Sequence, residues 1–167
     1  MNNNLLIIGA GQYGHVAKEI AEAMGTYDRI EFIDDHSEIA IGTTGDLGKL
    51  SADYKSAIVA LGNPELRTRF CNELKVHGYS IATLIHPRAY VSPSAQIAPG
   101  CIVEPMAVIH TECILESCVF ASAGAIVNHN SIIKEVAHLD VGSIVKARSV
   151  VPVGRKLEAG EVFQTNA

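Results

Sequence analysis

An apolar residue returns at every sixth position from Ile85 to Phe163. The series runs Ile85, Val91, Ile97, Val103, Ile109, Leu115, Ala121, Val127, Ile133, Leu139, Val145, Val151, Leu157 and Phe163. Four places after most of these stands a small residue: Ala89, Ala95, Cys101, Ala107, Cys113, Ala125, Ser131, Ala137, Ser143 and Ser149. A helix repeats every 3.6 residues and a half-buried strand every 2, so neither produces this beat. A parallel β-helix does, because each face of a triangular coil needs one inward aliphatic residue and one small residue near the corner. The period predicts a β-helix over 85–167, with about eighteen residues per coil and a little over four coils.

The residues just before the inward positions are also apolar: Ile102, Val108, Ile114, Phe120, Ile126, Ile132, Ile144 and Val150. Neighbours in a strand alternate faces, so these are expected outside the prism. Such an exterior is too large for a solitary soluble protein, and a homotrimer around the prism axis is the expected burial, the alternative being that the N-terminal domain covers that face in a monomer. Arg155 and Glu161 stand where earlier hexads carry small residues. Charge there protects an open edge, so the β-helix is expected to stop soon after residue 155.

Residues 1–84 read as α/β. Leu5-Leu6-Ile7-Ile8 is a buried strand, followed by the turn Gly9-Ala-Gly11-Gln-Tyr-Gly14. A helix follows, with Val16, Ile20 and Ala23 on one face and Gly25 closing it. Ile30–Ile33 forms a second strand ending at Asp34-Asp35, and residues 42–48 are turn-rich. A third strand over 56–61 ends at Gly62-Asn63. Pro64 then opens a helix lined by Leu66, Phe70, Leu74 and His77. A last strand is expected over 79–84. This is a Rossmann-like half-domain with a parallel sheet.

Composition narrows the function classes. The formal net charge of −5 leaves no basic footprint, which argues against nucleic acid or an anionic membrane surface as partner. No apolar run approaches membrane-spanning length, and MNNNLLII lacks the basic region of a secretory leader. Cys71, Cys101, Cys113 and Cys118 form no pattern with zinc spacing, and Cys101 and Cys113 fall on small hexad positions as buried hydrophobes. A reduced, cytoplasmic, soluble protein with no metal site and no membrane insertion is expected.

Two places can carry chemistry. His129 follows inward Val127 by two positions and His138 immediately precedes inward Leu139, so both project from the prism where a second copy would pack. Histidine is the side chain suited to accept a proton near neutral pH. The second place is the GxGxxG turn, which follows a strand and opens a helix. Asp34 and Asp35 lie about twenty residues on, where an acidic residue meets a ribose. Gly62 and Asn63 lie at the same carboxyl edge of the sheet. About eighty residues are too few for a dinucleotide site, so a single nucleotide with phosphate at the helix N-terminus fits better.

On the segments IIGAGQYG, FIDD, ALGNPELR, LIHPRAYVSPSAQI and VNHNSIIKEVAHLDVGS, the chain resembles bacterial sugar acyltransferases of the hexapeptide-repeat superfamily. These acetylate sialic acid, bacillosamine or perosamine. The resemblance implies a left-handed β-helix, a trimer, and acetyl-CoA as co-substrate lying along the β-helix between subunits. It implies a nucleotide-linked amino sugar, UDP-linked, held by the N-terminal domain in surface-glycan biosynthesis. It gives His129 the role of general base, with Asn130 beside it, and His138 the contact to the acetyl group. Gly11, Gln12, Tyr13, Gly14, Asp34, Asp35, Gly62, Asn63 and Arg67 match segments that cradle the nucleotide.

Three departures stand out. Asn130 replaces the carboxylate that often follows the base histidine, which implies a weaker base. Tyr13 stands where histidine is common. The segment from Val151 to Phe163 resembles the family's last turn with about two coils missing ahead of it, coils that help bind CoA. Three readings stay open: an acetyl-CoA-dependent sugar acetyltransferase, a trimeric sugar-nucleotide-binding or regulatory homologue without turnover, and a nicotinamide-dependent oxidoreductase.

Overall fold

The structure, a computed structural model, describes residues 3–165. It divides into two units, one up to Leu84 and one from Ile85.

In the first unit, β1 (Asn4–Ile8) carries Leu5, Leu6, Ile7 and Ile8, all buried. An unbroken apolar run of this kind belongs to a central parallel strand covered on both faces. It pairs with β2 (Arg29–Ile33) on one side and β3 (Ser56–Val59) on the other. β4 (Ser80–Ile81) completes a parallel sheet of order β2-β1-β3-β4. The expected strand over 79–84 is thus only two residues long.

Helix α1 (Gln12–Met24) ends at Gly25, whose φ of 64° is the left-handed value that glycine adopts freely. Its buried residues are Gly14, Ala17, Ile20 and Ala21. Val16 is only half-buried and Ala23 is exposed, contrary to the expected face. The reason is close approach. A Cβ on Gly14 would lie 2.1 Å from the Gly9 carbonyl oxygen, so the helix rests on the sheet through its smallest residues.

Residues 42–48, expected as turn, hold a 3-10 turn at Thr44–Asp46 and the start of α2 (Leu47–Leu50), which buries Leu47. Helix α3 (Pro64–Val76) starts where the Asn63 side chain accepts the Leu66 N–H at 2.8 Å. It buries Arg67, Phe70, Cys71 and Leu74, whereas Leu66 and His77 are exposed, a shift of the expected stripe.

The second unit is a stack of two-residue strands on three parallel sheets. The first sheet contains Gln96–Ile97, Ile114–Leu115, Ile132–Ile133 and Val150–Val151. The second contains Leu84–Ile85, Ile102–Val103, Phe120–Ala121, His138–Leu139 and Lys156–Leu157. The third contains Tyr90–Val91, Val108–Ile109, Ile126–Val127, Ile144–Val145 and Val162–Phe163. Ile114 pairs with Ile132 and Ile126 with Ile144, so each strand meets the one three hexads later. The inward positions from Val103 to Leu157 are all 0% exposed, as are Cys101, Ala107, Cys113, Ala125 and Ala137. Removing each aliphatic side chain from water contributes roughly 1.5–3 kcal/mol, which is what holds such short strands together.

The corners have a rule of their own. Gly100, Met106, Glu112, Cys118, Gly124, Asn130, Val136, Gly142, Arg148, Gly154 and Gly160 all have positive φ, one per hexad. Each non-glycine residue there costs roughly 1–2 kcal/mol, least for asparagine. The tight corner therefore draws on the burial of its neighbours.

Two expectations about the prism are corrected. Ile102 and Phe120 stand outside the interior column yet are buried, both at 0% exposure, while Ile126, Ile144 and Val150 are exposed as expected. The Phe120 ring meets the His138 ring edge to face, with centroids 5.7 Å apart. The coil also continues past residue 155 to Phe163. Arg155 and Glu161 do not break it, because they pair with each other at 2.7 Å outside the core.

Candidate functional site

At the carboxyl ends of β1, β2 and β3 lies a cleft of about 250 Å³. Its lining includes Gly9, Asp34, Asp35, His36, Thr44 and Arg69. The carboxyl edge of a parallel sheet is open there because the chain must turn away from each strand, leaving amides and loop side chains to meet a ligand. The Asp34 carboxylate accepts the Ala10 N–H and the His36 N–H, each at 2.9 Å. The Asp35 carboxylate accepts the Thr44 N–H at 2.8 Å and its hydroxyl at 2.9 Å. The Thr44 amide, and then the Thr44 hydroxyl, hold the Asp35 carboxyl below the ordinary carboxylate range. Arg69 lays its guanidinium over Phe70, 4.7 Å from the ring centroid, and donates to Glu73 at 2.9 Å. A fixed cation beside two fixed acids can hold a phosphate and a sugar hydroxyl together.

The expected nucleotide residues divide. Asp34 and Asp35 line the cleft; Gly11, Gln12 and Tyr13 open α1 outside that lining. A Cβ on Gly11 would touch nothing within 4 Å, so the turn leaves open space in front of the helix N-terminus. Gly14 is buried for helix packing and Asn63 caps α3, as described. Gly62 is exposed and lies outside the lining. Arg67 is a correction: it is 1% exposed, and its Nη1 donates to the Leu61 carbonyl at 3.2 Å. It braces the end of β3 instead of reaching a ligand. Arg69, His36 and Thr44 were missed. Arg69 lies two residues beyond the expected arginine, on the open side of the same helix.

In the β-helix, His129 and Asn130 occupy the corner between the third and first sheets. His129 Nδ1 lies 2.9 Å from Asn130 Oδ1, and the Asn130 side-chain amide donates to the Glu112 carboxylate on the coil below. The His110 ring stands edge-on to His129, with centroids 6.3 Å apart. The corner is stacked: Glu112 N–H donates to Ser94 Oγ at 3.1 Å, Asn130 N–H to the Thr111 carbonyl at 3.0 Å, and Arg148 N–H to the His129 carbonyl at 3.0 Å. The amide beside the histidine, expected to leave it without a carboxylate, therefore has one behind it. Glu112 precedes Asn130 by one coil of eighteen residues, so the coil period is the sequence signal that locates it.

His138 belongs to another cluster. It lies on the second sheet, with Nε2 3.0 Å from the Ser122 hydroxyl, against Phe120. One chain does not bring the two imidazoles together. The cysteines are all buried, and burial pushes the Cys113 thiol up, so none is presented as a nucleophile. Among the described residues no group of three His, Cys, Asp or Glu is arranged to hold a metal ion, and no helix is long and apolar enough to cross a membrane.

Comparison with known proteins places these observations. Residues 4–74 match the family described as the PglD N-terminal domain. Over 97% of its length the chain is similar to the acetyltransferase domain of PglB from Neisseria gonorrhoeae FA1090, with 31% identity, a TM-score of 0.84 and 91% of that domain covered. The same domain in complex with acetyl coenzyme A matches at 33% identity, covering 96% of this chain and 90% of that one, with a TM-score of 0.83. A mutant perosamine N-acetyltransferase from Caulobacter crescentus, in complex with CoA and GDP-perosamine, shares the fold at 23% identity. It covers 96% of this chain and 88% of that one, with a TM-score of 0.87. The missing two coils are thus a further correction. Only 9% of the gonococcal domain lies outside the match, less than two coils of about eighteen residues would occupy. A half-size parallel sheet followed by a left-handed parallel β-helix, matched end to end at this identity, makes the chain a member of the hexapeptide-repeat sugar acetyltransferases.

Proposed function

We propose that this enzyme transfers the acetyl group of acetyl-CoA to the amine of a nucleotide-linked amino sugar, with His129 as the general base. The observation that carries the reading is the 33% identity to a domain held in complex with acetyl coenzyme A, over 96% of this chain. The cleft at the sheet edge takes the nucleotide, with Arg69 near phosphate and Asp34 and Asp35 near the sugar hydroxyls. UDP is the nucleotide expected from the resemblance, and GDP is its competitor, since GDP-perosamine is the ligand of the Caulobacter relative.

His129 Nδ1 is engaged by Asn130 Oδ1, an acceptor, so Nδ1 carries the hydrogen and Nε2 keeps its lone pair. As the sugar nitrogen bonds to the thioester carbonyl carbon, Nε2 takes the nitrogen's proton. The tetrahedral adduct then collapses, the C–S bond breaks, and CoA leaves as its thiol after taking up a proton. Proton transfer to a positioned base is typically worth 10²–10⁴-fold.

The working unit of this reading is a homotrimer. Tyr90, Val108, Ile126, Ile144 and Val162 stand in register outward on the third sheet, beside the His129 corner. A second copy packed there would cover that ladder and bring its own second sheet, with His138, towards the first copy's His129. His138 would then donate to the thioester carbonyl oxygen.

Thiol release on mixing acetyl-CoA with a UDP-amino sugar tests the reaction. His129→Ala should lose about 10²–10⁴-fold in kcat with little change in KM. Unchanged turnover discards the base assignment. No calorimetric binding of acetyl-CoA in the presence of nucleotide sugar would leave a binding protein instead.

A further inference from the structure

The base corner holds a carboxylate that the reading above does not use. Asn130 sits at a corner with φ of 58°, a backbone value asparagine tolerates, and its side chain spans two coils. Towards Glu112 it meets an ionised carboxylate, which only accepts hydrogen bonds. The –NH2 end of the amide must therefore face Glu112. That leaves the carbonyl end facing His129 Nδ1. A carbonyl only accepts, so Nδ1 must donate, and the lone pair of the neutral ring is confined to Nε2.

We propose that Glu112 is a positioning residue that sets the tautomer of His129 through the Asn130 amide. The inference rests on His129 being the base. It also supplies what the amide alone lacks, since an unsupported asparagine can flip and offer its –NH2 group to Nδ1. The flipped form would force the hydrogen onto Nε2, where it blocks proton acceptance. The Glu112 backbone is itself held by the Ser94 hydroxyl at 3.1 Å, which fixes the lower end of the chain of contacts.

The other ionisable groups around the ring do not replace Glu112. His110 meets the ring edge-on from below at 6.3 Å between centroids. On the coil above, Lys146 donates to Gln164 at 3.0 Å, and the Arg148 contact to His129 is through its backbone N–H. None of them reaches Asn130.

The test is nitrogen-15 NMR of the ring nitrogens, combined with steady-state kinetics. The parent protein should show His129 as the Nδ1–H form. In Glu112→Gln the neighbouring side chain can donate as well as accept, so both tautomers should appear. The shift of the ring towards the Nε2–H form should lower kcat by roughly tenfold, with both KM values nearly unchanged. Adding Asn130→Asp to Glu112→Gln places an acceptor directly against Nδ1 and a donor behind it. The double variant should regain the Nδ1–H form and most of the lost kcat. The proposal is overturned if Glu112→Gln keeps a single Nδ1–H tautomer, or if the double variant stays as slow as the single one. A tautomer change with unaltered turnover supports the Glu112 chain and removes His129 from the chemistry, so the two failures are told apart.

Discussion

The Asp34 carboxylate accepts the backbone N–H of Ala10 at 2.9 Å, so the acid at the end of β2 holds the glycine turn at the end of β1. Its second oxygen accepts the His36 N–H at 2.9 Å. One side chain thereby shapes both walls of the cleft at the sheet edge. Asp34→Ala leaves two amides without their acceptor, one of them at the buried Ala10. Hydrogen bonds to a charged group contribute about 1.5–3 kcal/mol each, and water can replace the one at exposed His36. Chemical denaturation should show a loss of about 2 kcal/mol, and nucleotide-sugar affinity should fall by about tenfold. A variant as stable as the parent would remove Asp34 from this role.

The hexad beat was enough to read the prism, because a six-residue period leaves one solution for where each aliphatic points. Inward Val127, Ile133 and Leu139 followed directly. Two things escaped the beat. Alternation says that Ile102 and Phe120 face away from the axis, but it says nothing of what else covers a face, and both are buried. The contact of Asn130 with Glu112 is a relation between coils, invisible to a linear comparison of position 130 with its neighbours. In the α/β unit the ordinary signals of strand, glycine turn and Pro-led helix were legible. Bulk was a poor guide to the packed faces, because Gly14 and Ala17 make the close approach and Arg67 is buried while Leu66, expected on the packed face, is exposed.

Gly14 offers a direct check on that close approach. Alanine favours a helix interior by about 1 kcal/mol over glycine, so helix propensity alone predicts a stabilising Gly14→Ala. The added Cβ would stand 2.1 Å from the Gly9 carbonyl oxygen, a backbone atom with no rotamer to escape into. Overpacking of this kind costs about 1–3 kcal/mol and here acts against rigid backbone, so the clash should win. The variant should melt earlier and bind nucleotide sugar more weakly, through displacement of the Gly9–Gly14 turn. A raised Tm would show that α1 can slide on the sheet.

Acid should loosen the loop that carries Thr44 to the cleft. Asp46 accepts the Thr43 N–H and hydroxyl at 3.0 Å each, and pairs with Lys49 at 3.0 Å. The Thr43 amide first, then Lys49, bring its carboxyl down to about 2. Asp35 is lowered in the same direction by Thr44. An unfolded aspartate titrates near 3.9, so between about pH 4 and 2 the unfolded chain binds more protons than the folded one. Stability from these groups is complete above that window and declines as pH falls through it. Thermal unfolding of Asp46→Asn should show a shallower loss of Tm between pH 4 and 2 than the parent. Identical acid slopes would mean the loop contributes nothing to the linkage.

Ile126 is 38% exposed and Ile144 36%, and they pair on adjacent coils next to the His129 corner. Neither side chain fills the prism interior, so aspartate at either position leaves the inward column of Val127 and Val145 intact. Each isoleucine fully covered by a neighbouring copy would contribute about 1.5–3 kcal/mol, and an unpaired carboxylate in its place would oppose assembly further. A three-fold assembly carries every substitution three times. The double variant Ile126→Asp/Ile144→Asp should therefore sediment as a folded monomer with parent-like circular dichroism. Because His129 stands at a corner and His138 on the second sheet of the same chain, the monomer should also lose acetyl transfer while its α/β unit still binds nucleotide sugar. A parent protein that already sediments as a monomer at assay concentration, yet turns over, would require both histidines' roles to be reassigned within one chain.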